Sequence, residues 1–129
     1  MSDELVAEWI AKAEEDWTAL LRLQAGSLSE VAGPVTFHSQ QCAEKYLKAL
    51  LQREDITPPR THDLPTLLDA LAATHPDLES YRPHCAFLAP FAIQSRYPGE
   101  EASAEDAREA ITRLEPLHER IRKSLGLAE

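Results

Sequence analysis

Two cysteines, Cys42 and Cys85, are the whole thiol inventory of this 129-residue chain. Both lie inside helical patterns and show no CxxC spacing, which reads as free buried thiols rather than a disulfide framework or a zinc knuckle. Long apolar runs are missing too. None approaches the roughly 20 residues that span a bilayer, and the acidic opening Met1-Ser2-Asp3-Glu4 has no charged-then-apolar leader pattern. The expectation is a cytoplasmic protein with no membrane partner. Basic charge is short as well: 13 Lys and Arg against 22 Asp and Glu give a formal net charge of −9. That balance favours solubility and disfavours broad attraction to phosphate backbones, which rests on neutralising phosphates with Lys and Arg. It leaves room for a local basic patch. No segment alternates with period two for long enough to make a strand, and no internal repeat or low-complexity tract is found.

What remains is helical periodicity. With 43% apolar residues, the chain suits a single domain, residues 1–129, able to bury one core without disulfide or metal staples. Val6, Ile10, Ala13, Trp17 and Leu20 step by four and three, with Glu14, Glu15 and Asp16 largely outside the stripe. This predicts a first helix of about six turns ending near Gly26. Gly33-Pro34 opens a second helix running to about Glu54, where Thr57-Pro58-Pro59 stops it. Asp63 or Thr61 caps a short third helix carrying Leu64, Leu67, Leu68 and Leu71, with Pro65 tolerated in its first turn and His75-Pro76 ending it. The fourth pattern, Leu78, Tyr81, Cys85, Leu88 and Ala92, is interrupted by Pro83 and Pro90, which predicts a kinked start and a distorted end. Ser103 and Asp106 form a capping box with Asp in place of Glu, ahead of Ala107, Ala110, Ile111, Leu114, Leu117, Ile121 and Leu125. Pro116 lies within that last helix. The fold class expected is all-α: an up-and-down bundle of four long helices and one short one.

The second helix carries the most information. His38, Gln41, Lys45, Lys48 and Gln52 fall on one side, while Cys42, Ala43, Tyr46, Leu47, Ala49, Leu50 and Leu51 form a broad apolar side that must be covered. A buried central helix follows. Lys45 and Lys48 read either as a solvated stripe, with Glu44 and Lys48 as an i,i+4 pair worth a few tenths of a kcal/mol, or as an anion-binding face. Trp17 and Tyr46 read as core. His38 and Cys42 are one turn apart, yet two ligands without a third do not make a metal site. His62 reads as part of a capping arrangement, Thr-His-Asp, or as a base. Arg96-Tyr97-Pro98 stands apart, because no packing pattern explains an Arg and a Tyr in a loop closed by Pro; function is expected there.

Three runs in order, Gln-Gln-x-Ala-Glu-Lys-x-Leu-Lys-Ala-Leu at 40–50, Pro-Pro-Arg-Thr-His-Asp-Leu at 58–64 and Ser-Arg-Tyr-Pro at 95–98, resemble the HEPN domain family over about residues 5 to 125. The resemblance implies a small helical bundle that dimerises, often encoded beside a minimal nucleotidyltransferase. Several members are ribonuclease toxins whose active site carries an Arg, four to six intervening residues and a His. The matching arginine is Arg96, but Tyr-Pro-Gly-Glu-Glu-Ala-Ser follows it, so the His is absent. Arg113-Leu-Glu-Pro-Leu-His118 satisfies the spacing well inside the last helix, where residues five apart diverge by roughly 140°; it reads as coincidence.

Metal-independent RNA cleavage needs a base for the 2′-hydroxyl and a donor for the phosphorane charge. Arg96 fits the second role alone, with His62 as the candidate base. Two functions therefore stand: a HEPN module binding a nucleotide or a nucleotidyltransferase partner, and a ribonuclease toxin with a remodelled site. The missing His and the acidic balance favour the first. Arg96 offers a donor fork for phosphate, Tyr97 a ring for stacking, and Lys45, Lys48 and His62 are expected to line the same polar cleft. No cofactor is expected.

Overall fold

The computed structural model describes residues 2–94 and 97–127. Helices make up all the regular structure among them, with no strand. The first, α1, spans Ser2–Leu23, with Asp3 and Glu4 at its positive end and Arg22 at its negative one, the arrangement the helix dipole favours. The second, α2, spans Ala32–Arg53. It stops before the prolines that the sequence suggests, because the chain turns left-handed at Asp55 (φ 60°). There Ile56 N–H reaches back to Leu51 O at 2.9 Å and Asp55 N–H to Gln52 O at 3.0 Å. This is a Schellman closure with Asp in the place usually given to Gly. Helix α3, Leu64–Leu71, is capped by the Asp63 carboxylate, which accepts from the backbone of Thr66 at 3.3 Å and from its hydroxyl at 2.6 Å.

The fourth pattern resolves into three pieces: a 3₁₀ turn Pro76–Tyr81, the helix α4 over Arg82–Leu88, and a second 3₁₀ turn Ala89–Ala92. Each piece has a proline, Pro76, Pro83 or Pro90, in its first two positions. A missing N–H is harmless at a helix start and disruptive inside one, so the prolines reset the helix at each step. Helix α5, Ala104–Ser124, opens on the expected capping box, with Ser103 and Asp106 exchanging hydrogen bonds at 3.0 Å. It closes on a second Schellman turn, this time with Gly126 at φ 75°.

Helix α2 is the axis of the bundle, packed chiefly on α1 and α5 and also on α3 and α4. Its predicted apolar side, from Cys42 to Leu51, is buried throughout, and both cysteines are free and buried. Burial extends beyond the apolar set. Thr36, Ser39, Gln40, Glu44 and Lys48 of α2 and Asp16 of α1 are buried polar groups. Asp16 therefore departs from the expectation that the acids of α1 lie outside the packing face. No helix among the described residues is long and apolar enough to cross a membrane.

Candidate functional site

Buried polar groups are tolerated when their hydrogen bonds are made inside the protein, and the partners of Glu44 locate the site. Its Oε1 accepts from Gln40 Nε2 at 3.0 Å and from His62 Nδ1 at 2.9 Å, while Oε2 accepts from Lys48 Nζ at 3.0 Å. Gln40 Nε2 also donates to the backbone carbonyl of His62 at 3.0 Å, and its oxygen accepts from Gln41 Nε2 at 2.7 Å. Burial alone would raise the Glu44 carboxyl; the donors of Gln40, His62 and Lys48 overcome it and hold the group below its ordinary value. Lys48 packs its ammonium over the Trp9 ring, 5.5 Å from the centroid. Around the buried carboxylate, His62 is the donor most open to solvent, its side chain 64% exposed against 9% for Lys48 and 6% for Glu44 itself. With Nδ1 tied to a buried carboxylate, the ring is fixed in orientation and presents Nε2 outward.

One turn away the pattern repeats. Asp16, reaching from α1, accepts from His38 Nδ1 at 2.7 Å and from Lys45 Nζ at 2.8 Å. Here too a carboxylate with 6% side-chain exposure clamps an imidazole and an ammonium at once. The polar stripe of α2 is therefore two acid–imidazole–ammonium clusters and not a row of solvated cations. Lys48 and His62 are brought together through Glu44, whereas Lys45 belongs to the Asp16 cluster.

His62 opens onto a groove of about 680 Å³ between the loop before α3 and the segment after α4, with Arg60, Ala86, Pro90 and Ile93 among its walls. Ile93 is 61% exposed, as is Tyr97 in the following loop. Arg96 lies outside the described residues. Gln40, Glu44 and Asp16, which organise both clusters, were missed as site residues in the sequence. For Gln40 and Glu44 the signal was the four-residue spacing Gln40, Glu44, Lys48, which puts these three on one helical face; Asp16, on α1, has no such local signal.

The alternative Arg–His pair does not converge. Arg113 bonds Glu109 at 2.6 Å and lies over Phe87, 5.7 Å from the ring centroid. His118 is stacked on Trp17, with centroids 3.7 Å apart and planes within 9°, and meets Tyr46 edge-on at 5.2 Å. Burial depresses its pKa to about 4, reinforced by the charge of Arg122. Below these rings the Tyr46 hydroxyl donates to Glu14, and Arg122 donates to Glu14 and, at 3.2 Å, to the Tyr46 oxygen. Burial, then the Glu14 contact, raises the Tyr46 phenol above its ordinary value.

Comparison with known proteins supplies the context for this geometry. The family model for the HEPN domain matches residues 6–124. Among solved structures, the chain is similar to the crystal structure of an archaeal HEPN homologue, at 31% identity and a TM-score of 0.70, covering 92% of this chain and 96% of that one. No curated protein matches it.

Proposed function

The chain belongs to the HEPN domain family, and from that premise we propose that it works as a nucleotide- and partner-binding module, the HEPN half of a HEPN–nucleotidyltransferase pair of toxin–antitoxin type, acting as a cytoplasmic homodimer. The observation that carries this reading is the buried Glu44 network. Taking a carboxylate and an ammonium out of water is costly for stability, and a site that must hold a polar group in one orientation gives a reason to keep them. Here the network presents His62 at the mouth of the groove, beside Arg60. Lys45 and Lys48 are paired with carboxylates, and anion anchoring is assigned to Arg96, whose five donors suit phosphate oxygens, with Tyr97 available to stack on a base.

Titration calorimetry of adenine and guanine nucleotides against the parent and Arg96→Ala tests this. Loss of binding in the variant supports the module reading; unchanged binding removes Arg96 as the anchor.

A second reading, metal-independent RNA cleavage, draws on the Glu44–His62 pair, because an imidazole whose Nδ1 is held by a carboxylate is arranged to accept a proton at Nε2. In that chemistry His62 takes the 2′-hydroxyl proton and Arg96 stabilises the phosphorane. The absence of the family's histidine after Arg96 ranks this reading second.

A further inference from the structure

Away from the Glu44 groove, an open pocket of about 490 Å³ lies between α1 and α5, lined in part by Trp17, Pro116, His118 and Lys123. Its size falls within the range of small-molecule sites. Two departures from structural economy meet on this one wall. Pro116 sits inside α5, where it removes a helical donor. His118 Nε2 is buried and has no hydrogen-bond partner among the described residues, an arrangement that native structures avoid unless something compensates it. Proteins break such local rules at functional or strained sites. At the rim stand charges of both signs, Lys123 and Arg122 against Glu115 and Glu119; Arg122 is engaged by Glu14 and Tyr46, and the other three form no ion pair among the described residues.

We propose that this pocket binds a small phenolic amino acid, its ring against the Trp17–His118 wall, its hydroxyl on His118 Nε2, its carboxylate by Lys123 and its ammonium by Glu115 and Glu119. A hydroxyl both donates and accepts, so it satisfies Nε2 in either imidazole tautomer, which an indole N–H does not. The mixed rim matches a zwitterion and not a simple anion. Because Nε2 is itself covered, the hydroxyl enters by shifting the Trp17–His118 stack, and the Trp17 indole N–H therefore reports binding.

The test is a nuclear magnetic resonance titration of the isotope-labelled full chain with L-tyrosine, L-phenylalanine, tyramine and 4-hydroxyphenylpropionate, with the Trp17 indole signal assigned through Trp9→Phe. Tyrosine is expected to bind tightest, with phenylalanine about tenfold weaker, the worth of one hydrogen bond. Tyramine and the hydroxyphenyl acid, each lacking one charge, are expected to be weaker than tyrosine. In His118→Phe, which keeps a stacked ring, the ratio of tyrosine to phenylalanine affinity is expected to fall to about one, while Lys123→Ala is expected to weaken tyrosine and leave tyramine unchanged. A Trp17 signal unmoved by all four compounds overturns the proposal, as does a tyrosine preference that survives in His118→Phe.

Discussion

Glu44 and Lys48 face each other one helical turn apart at 3.0 Å, with less than a tenth of either side chain exposed. On a solvated helix such a pair contributes only a few tenths of a kcal/mol; inside the bundle, removing one partner strands the other. Glu44→Ala is therefore expected to cost about 3–5 kcal/mol, read as a lower urea midpoint with unchanged slope. The double replacement Glu44→Met with Lys48→Met is expected to recover most of that loss. A single variant as stable as the parent would show that the pair is solvated after all.

Catalysis separates the two functional readings. Arg113 and His118 engage different neighbours, Glu109 and Phe87 for the first, Trp17 and Tyr46 for the second. Purified protein is expected to cleave RNA weakly or not at all, and His118→Ala to leave any residual cleavage unchanged. His62→Ala is the informative comparison: abolition of a measurable rate by that change would promote the ribonuclease reading. Robust cleavage lost in His118→Ala would restore the Arg113–His118 motif.

Acid sensitivity follows from groups whose folded-state values are depressed. His118 falls from 6.5 to about 4 on burial. Between those values the unfolded chain binds the proton and the folded one does not, so stability is present above pH 6.5 and lost as pH falls toward 4. Linkage sets the loss at about 3 kcal/mol at most. Glu44, also lowered, adds loss in the same direction at lower pH. Denaturant unfolding at stepped pH is expected to show falling stability from pH 6.5 to 4, and His118→Phe to flatten that slope. A parent whose stability is level across the window would contradict the buried, neutral imidazole.

Asp55 holds a left-handed conformation at φ 60°, which an L side chain adopts at a cost that glycine does not meet. Asp55→Gly is expected to raise stability by up to about 1 kcal/mol, measured as a higher thermal midpoint. A fall in stability would mean that the carboxylate itself holds the turn.

The helices were legible because their signals are local. Asp63 ahead of Leu64, Ser103 three residues before Asp106, and the stripe from Cys42 to Leu51 each sit within a few positions of the element they define. What closes α2 was less legible: Thr57-Pro58-Pro59 are emphatic stop residues, yet the chain had already turned at Asp55, where no glycine marks the spot. The site was half legible for a similar reason. His62 and Lys48 could be named as polar residues near a family-like run, but their convergence depends on Glu44 facing inward. Periodicity places a carboxylate on a face without saying whether water or protein receives it. Asp16 shows the same limit, since its partners His38 and Lys45 lie more than twenty residues away.

The meeting of Glu14, Tyr46 and Arg122 joins α1 and α5 to α2. As the polypeptide emerges from a ribosome, α1 and α2 can pair early, but the Tyr46 hydroxyl waits for an arginine made 76 positions later. Until α5 arrives, the apolar side of α2 has only part of its cover, and a nascent or truncated chain exposes that strip to other chains. Helix α5 is thus the clasp of the bundle, and losing it would leave an aggregation-prone fragment with the apolar side of α2 uncovered.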